Sequence, residues 1–332
     1  MKARTVNLLA FLCGAGLLAA FVWSSGPAKL WSYLLSIGPG MVWVVLLYQA
    51  EVMLEVLSWQ LAVPPGERTT YFAMYSAAVA GSSMNNLLPG GQAGEVVKGN
   101  LLAGLLPGER IVSSLIIYNW LFNLTTVGVV GVASLACLLA EEVSLEVGLG
   151  LLAGTAATSA LMLLVYLWIR RGVVRDVIAV VSKVPLLGKR VPASAADRAR
   201  RIDEEIRGFR SARPGDYWWS VVLLVAARLV AIAELWVILL LLGADVSLWA
   251  GTALFAAGQL FYYVALFFPT RLGVLEGGSM MLFALFGFPA DLGLAAEFAR
   301  TLRKVVFMFL GMGLMAWLGL FRRRVARHAG TR

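Results

Sequence analysis

Apolar runs long enough to cross a bilayer constrain this chain before any other feature does. A helix needs roughly 20 consecutive apolar residues to span the hydrocarbon core. Runs of about that length stand at 6–23, 41–63, 111–139, 145–169, 217–243 and 290–321 of the 332 residues. In lipid each backbone polar group must be satisfied within its own segment, so spans of this kind are helices. Only 14% of the residues are charged, against about 25% in soluble domains. The chain is read as an all-α polytopic integral membrane protein of about 8 transmembrane helices plus broken or re-entrant segments. The first run, 6–23, has the look of a signal-peptide core. It lacks a small-residue cleavage site and is read as a retained anchor.

The distribution of charge sets the threading. Of 28 Lys and Arg, twelve fall in 170–216 and five lie beyond 321, and Lys2 and Arg4 precede the first run. Basic residues in short loops and flanks stay on the cytoplasmic side. Both termini and the linker 170–216 are therefore expected there, with the acidic loop 140–146 outside. The organisation expected is one transmembrane domain, 5–322, followed by a basic tail, 323–332. A first half, 5–169, and a second, 217–321, flank the linker. Within the linker, Ile202, Ile206 and Phe209 make a narrow apolar stripe at helical spacing. That pattern reads as a connector helix lying on the inner surface. The basic tracts are accounted for by topology and by attraction to anionic headgroups, so nucleic acid is not expected as a partner.

Two apolar regions are interrupted, and they match each other. The first reads LLPGGQAGEVVKGNLLAGLLPGE over 87–109, the second FFPTRLGVLEGGSMMLFALFGFPAD over 267–291. Each has Pro after bulky apolar residues (Pro89, Pro269), then Gly (Gly94, Gly273), then Glu (Glu95, Glu276). Each ends on a second Pro, Pro107 or Pro289, with an acid just beyond it, Glu109 or Asp291. Asn119 and Asn123 in the next span sit at the depth of Arg300, Thr301 and Lys304 in its counterpart. Parity places the start of the first region inside and the start of the second outside. The halves then form inverted repeats, with breaks at 85–106 and 268–289. Inverted repeats with interrupted helices mark transporters whose site lies near the midplane. Pro removes a backbone donor and ends the preceding helix. Gly90, Gly94, Gly273 and Gly277 permit the turn. The helix that restarts there presents free N–H groups and a positive dipole end, which favours anions.

Ionisable residues inside a membrane are costly and point to function or to structural pairing. Glu51 and Glu55 share one helix face, and Arg228 and Glu234 lie in one span. For Arg228 and Glu234 a structural ion pair is expected. Glu95 and Lys98 follow the first break, Arg271 and Glu276 flank the second, and Glu297, Arg300, Arg303 and Lys304 cluster in the last span. Buried carboxylates hold protons more readily than exposed ones, so one of these acids is a candidate for proton coupling. Gln259, Tyr262 and Tyr263 precede the second break and are read first as interfacial aromatics and their neighbour, with the lining of a lipid headgroup path as the alternative. Cys13 and Cys137 lie in apolar runs and His328 in the tail. Neither a metal site nor His-based catalysis is expected, and no cofactor or catalytic residue is assigned.

The segment 86-NLLPGGQAGEVVKGNLL-102 and the later 273-GVLEG-277 resemble the flippase-like transmembrane domain of lysylphosphatidylglycerol synthases. Stand-alone bacterial and archaeal membrane proteins share it. The likeness extends over about 5–320. Thr270 and Arg271 depart from the Gly-rich second motif of that family. The resemblance implies a bacterial inner-membrane location and movement of lipids across the bilayer, aminoacylated phosphatidylglycerol among them. The hydrophilic stretch 170–216 is too short for the soluble aminoacyl-transfer domain that some members carry.

The function expected is translocation or binding of a lipid with an anionic or glycosylated headgroup: a phospholipid, a polyprenyl-phosphate-linked lipid or a hopanoid-type lipid. The substrate-binding set comprises Asn86, Glu95, Lys98, Asn119, Arg271, Glu276, Arg300 and Lys304. Pro89, Gly90, Gly94, Pro269, Gly273 and Gly277 are the structural breaks. There is no G-x-x-x-x-G-K-[ST] phosphate loop, so ATP is not the driver. Membrane lipids are the expected partners, and the sequence sets no oligomeric state. The alternatives are an accessory subunit of a lipid or cell-envelope biosynthesis enzyme and, further off, a lipid-modifying transferase.

Overall fold

The computed structural model describes residues 37–87, 93–139, 144–183, 194–265 and 274–329, with Ala28, Trp31 and Leu35. Side chains are described within these ranges except at 86, 87, 93 and 139 and beyond 317. The expected span 6–23 and the break residues Pro89, Gly90, Pro269, Arg271 and Gly273 lie outside the described residues.

Ten α-helices form among the described residues. They are α1 (Met41–Ala62), α2 (Tyr71–Leu87), α3 (Ala93–Leu102), α4 (Gly108–Leu139), α5 (Leu145–Lys183), α6 (Ala195–Ala212), α7 (Pro214–Leu241), α8 (Leu248–Ala265), α9 (Val274–Leu285) and α10 (Ala290–Ala329). Of these, α1, α4, α5, α7 and α8 are long and apolar enough to cross a membrane. In α10, Glu297, Arg300, Arg303 and Lys304 punctuate the apolar sequence. Large apolar side chains stand exposed on the outer faces, among them Trp43, Val132, Leu164, Trp219 and Phe309. A surface of that kind suits a hydrocarbon solvent. Gly108 and Ala290 open α4 and α10 directly after Pro107 and Pro289, since a residue preceding Pro is disfavoured in helical conformation.

Contacts between the halves show how they are related. Along α1 and α7, Arg213 donates to the carbonyls of Leu61 and Ala62 at 3.2 and 2.9 Å, and Ser220 donates to Ser58 at 3.3 Å. At the far end Leu241 packs on Gly40. The two helices are therefore antiparallel. Helix α2 of the first half runs antiparallel to α10 of the second, through Ser83 to the Phe307 carbonyl and the rings of Phe72 and Trp317. The reciprocal pairing sets α8 against α4, through Asn123 with Tyr263 and Cys137 with Trp249. Such an exchange of partners is what a two-fold relation between α1–α4 and α7–α10 produces. Corresponding helices run in opposite directions, as the parity of the sequence requires.

Helices α2 and α3 form an antiparallel hairpin. Gly81 and Gly94 meet along it: a Cβ on Gly81 would lie 2.6 Å from the Lys98 Cγ and 2.8 Å from the Gly94 carbonyl. Only glycine lets the backbones approach so closely. The open end of the hairpin is tied to the end of the molecule that carries α6. Arg110 reaches Glu67 at 2.8 Å and Glu205 at 2.7 Å, and Arg201 reaches Glu109 at 2.8 Å. The second hairpin, α8–α9, opens at the other end, where Ile37, Ile238, Val246, Phe283 and Ala296 share a core.

The span expected to end at 169 continues as helix to Lys183, with a kink at Gly172 (φ 113°). Beyond the kink, Asp203 of α6 accepts from the backbone N–H of Val174 at 3.0 Å and of Arg175 at 3.1 Å. The donors freed by the break are thereby capped by a side chain of the connector. Ile202 and Phe209 of the expected stripe are buried and Ile206 is half-buried, so this face of α6 is covered by protein. Gly172→Ala forces a left-handed φ and sets a Cβ 3.0 Å from Asp203 Oδ2. It is expected to cost about 1–2 kcal/mol, read as a lower thermal midpoint in detergent.

Arg110 hydrogen-bonds Glu67 and holds its carboxyl below the usual carboxylate range. A group depressed on folding contributes fully above its unfolded value, about 4.3 for Glu, and less as pH falls through the folded value. Acidification from roughly pH 6 to pH 3 should lower the midpoint of wild type more than that of Glu67→Gln, by the modest amount such a partly exposed pair contributes.

Candidate functional site

A cavity of about 460 Å³ lies between α1, α2, α3 and α4, closed by Tyr262 of α8 and Phe307 of α10. Its wall is polar although the surrounding helices are apolar. The helical period explains the lining. Tyr48, Val52, Glu55 and Trp59 fall on one face of α1 at spacings of four and three. Tyr118, Asn119, Phe122 and Asn123 do the same on α4.

Helix α3 supplies the charges. Its first turn is capped by the preceding helix, Asn85 Oδ1 accepting from the Gly94 N–H at 2.6 Å. Glu95 follows in that turn, where the helix dipole favours an acid. Lys98, one turn on, places Nζ 2.8 Å from Glu95 Oε1. The same ammonium lies 5.8 Å from the Trp59 ring and 5.7 Å from the Tyr118 ring, within cation–π range. The residue is 8% exposed, so its charge depends on these partners rather than on solvent.

A polar chain leads away from this pair. Asn119 Nδ2 donates to Glu95 Oε2 at 3.2 Å, and Asn123 Nδ2 donates to the Asn119 carbonyl at 2.7 Å. Tyr263 donates to Asn123 Oδ1 at 3.1 Å. Helix α3 beside the first break is thereby joined through α4 to the helix leading into the second.

Behind the wall lies a buried charge network. Arg228 of α7 bridges Glu51, at 2.7 Å, and Glu55, and its guanidinium sits 4.5 Å from the Phe122 ring. Arg303 of α10 pairs with Glu234 and lies 3.8 Å from the Tyr48 ring. The expected pairing of Arg228 with Glu234 is thus exchanged: each residue finds its partner on another helix. Antiparallel packing of α1 on α7 brings Glu51 and Glu55 to the level of Arg228. A reading along one helix cannot show this.

Glu95, Lys98 and Asn119 of the expected substrate-binding set come together on this cavity. Asn86 lies in the last turn of α2, its side chain outside the described residues. Glu276 begins α9, half-buried. Arg300 and Lys304 share Glu297, at 3.8 and 2.9 Å, on α10 and stand outside the cavity wall. Gly277 is exposed on α9. Sequence reasoning passed over Asn85, Ser82, Ser83, Trp59 and Tyr118 as wall residues. The four-and-three spacing from Tyr48 to Trp59 was the signal that would have found Trp59. Tyr262 lines the cavity, the alternative to its interfacial reading. Among the described residues no cluster of His, Cys, Asp and Glu has the make-up of a metal site.

The fold and the cavity define a polytopic α-helical membrane protein with a polar, charged chamber among the helices of its first half. Residues 7–312 match the family described as the lysylphosphatidylglycerol synthase TM region, and the chain belongs to that family. No curated protein and no solved structure matches the chain.

Removing one member of a buried ion pair strands its partner's charge, at about 3–5 kcal/mol. Arg303→Met is expected to lose that much. Arg303→Met combined with Glu234→Met should recover most of it, because paired replacement by apolar residues is often near neutral. Thermal unfolding of the purified protein with both single variants measures the coupling.

Proposed function

We propose that this protein binds a lipid by its headgroup in the α1–α4 cavity and carries that headgroup across the membrane while the acyl chains stay in the bilayer. The observation that carries the reading is the cavity itself. A charged, hydrogen-bonding chamber inside apolar helices is costly to maintain and is retained where something polar has to enter. Lys98 supplies a cation for a phosphate. Asn85, Asn119, Ser82 and Tyr118 supply hydrogen-bonding groups for phosphate or sugar oxygens. The substrate class is a lipid with an anionic or glycosylated headgroup. No chemical step is assigned to the protein, because binding and passage account for the wall chemistry.

In this reading the α2–α3 and α8–α9 hairpins are re-entrant, each entering and leaving on one side of the bilayer. The contacts of Glu67 with Arg110 at one end, and the shared core of Val246, Phe283 and Ala296 at the other, support that arrangement. The end carrying α6 and its arginines faces the cytoplasm of a bacterial inner membrane, in keeping with the basic charge bias. Family membership supports a lipid-related role.

The test is lipid carriage together with lipid movement. Protein purified in mild detergent is expected to enrich one headgroup class over the membrane extract, measured by mass spectrometry. In proteoliposomes it should accelerate inward passage of a fluorescent analogue of that lipid. Lys98→Ala and Glu95→Gln are each expected to cut both signals about tenfold, the ~1.4 kcal/mol expected for one charge-assisted contact. Bulk lipid composition in wild type, with no flipping above protein-free vesicles, would sink the proposal.

A further inference from the structure

Among the described residues, six aromatic side chains, two carboxylates and one ammonium line the cavity. The rings are Tyr48, Trp59, Tyr118, Phe122, Tyr262 and Phe307. Two of them are backed by buried cations. The Arg228 guanidinium lies 4.5 Å from the Phe122 ring, and that of Arg303 lies 3.8 Å from the Tyr48 ring. Neither arginine lines the cavity. Two more rings, Trp59 and Tyr118, already attract the Lys98 ammonium. A positively charged headgroup at any of these four rings would also meet the cation already there, and their repulsion offsets the attraction of the ring.

An anionic headgroup meets a different obstacle. Lys98 is the wall cation that a phosphate would seek, and its Nζ lies 2.8 Å from Glu95 Oε1. A phosphate oxygen that reaches Lys98 therefore comes up against a carboxylate. Glu55 puts a second carboxylate on the same wall. A phosphodiester only accepts hydrogen bonds and has nothing to donate to either acid, whereas a sugar hydroxyl donates and accepts. The four carboxylate oxygens take hydrogen bonds from Arg228 and Tyr118 at Glu55, and from Lys98 and Asn119 at Glu95. An ionised carboxylate offers about four acceptor sites, so each acid keeps capacity for a hydroxyl. Both are open enough to be met, with 18% of the Glu55 side chain and 28% of the Glu95 side chain exposed.

We propose that, of the two headgroup classes named above, the cavity takes the glycosylated one: an uncharged sugar carried by a glycolipid. That the sugar belongs to a lipid rests on the function proposed above. The rings pack against the C–H faces of the sugar, whose hydrogens carry the partial positive charge that an aromatic face attracts. Its hydroxyls donate to Glu55 and Glu95, and neighbouring hydroxyls on one sugar ring are spaced to reach both oxygens of a carboxylate. Lys98 has ammonium protons beyond the one given to Glu95 and donates to a sugar oxygen. The volume of about 460 Å³ falls in the range of about 300–1,000 Å³ usual for small-molecule pockets. Tyr262 of α8, 39% exposed, is the ring through which the second half covers the sugar. An uncharged headgroup also crosses the hydrocarbon core without a counter-ion and without doing work against the membrane potential.

The experiment is calorimetric titration of the purified full chain, in a detergent free of sugar and phosphate, with lipids that share dioctanoyl chains. The probes are glucosyl and galactosyl diacylglycerol, phosphatidylglycerol and phosphatidylethanolamine. One of the glycolipids is expected to bind at least about tenfold tighter than either phospholipid. Glu95→Gln should move the two classes in opposite directions. The glycolipid weakens because its acceptor is poorer, and phosphatidylglycerol tightens because Lys98 is released from the acid. Tyr262→Leu should weaken the glycolipid by up to about tenfold, with Tyr262→Phe restoring it and phosphatidylglycerol little changed. A phospholipid that binds as tightly as the glycolipids overturns the sugar inference and leaves the lipid reading standing. Methyl glucoside or methyl galactoside competing as well as the glycolipid keeps the sugar site and overturns the lipid reading. A glycolipid preference unchanged in both Glu95→Gln and Tyr262→Leu overturns this cavity as its site. No binding of any of the four lipids overturns both readings. The wild-type ranking decides the headgroup class even where a variant fails to fold.

Discussion

Arg228 sits at the crossing of α1 and α7, and the surrounding architecture answers to it. A guanidinium taken out of water must find carboxylates and aromatic faces nearby. Here it finds Glu51, Glu55 and the Phe122 ring, supplied by α1 and α4. Antiparallel packing of α1 on α7 is what puts those groups at one level. The same crossing places Glu234 within reach of Arg303, which brings α10 into the network. Four helices are thereby held in register by charges that none of them could bury alone. The cavity opens on the α1 face that these contacts orient.

The membrane class, the interrupted segments and their inversion were legible in the sequence because each depends on local pattern. Apolar run length, the paired Pro–Gly–Glu spacing and the basic bias of 170–216 can all be read residue by residue. Glu95, Lys98 and Asn119 could be singled out because a polar residue inside an apolar run is conspicuous wherever it packs. The ion-pair partners could not. Arg228 and Glu234 share one helix, yet each pairs with residues of other helices, a consequence of packing and not of spacing. Asn85 shows the same limit. Adjacent residues on a helix point about 100° apart, and only the fold shows Asn85 capping α3. The bend at Gly172 was hidden because its cap, Asp203, comes from 31 residues further along the chain.

The two halves are related in topology but not in chemistry. In the first, α4 carries uncharged Asn119 and Asn123 toward a charged α3. In the second, α10 carries Arg300 and Lys304 at the comparable depth, satisfied by Glu297 of the same helix. Lys98 is likewise paired on its own helix, to Glu95 of α3, but that pair lines the cavity and Arg300 and Lys304 do not. The polar chamber therefore belongs to the first half, and the second contributes the aromatic lid at Tyr262 and the tie at Tyr263.

That tie bears on how the molecule can move. Helix α4 touches the first hairpin through Asn119 and the second helical pair through Asn123, four residues apart on one face. Asn123 also donates to the Asn119 carbonyl, so the two contacts share one short hydrogen-bonded link. A shift of α3 that breaks the Glu95 contact frees the amide of Asn119 but leaves that link intact. Coupling carried by discrete hydrogen bonds of this kind has two arrangements, made and unmade, and no continuum between them. An entering headgroup that engages Lys98 or Glu95 competes directly with the first of these bonds. The helix leading into the second break lies only two further hydrogen bonds away along α4.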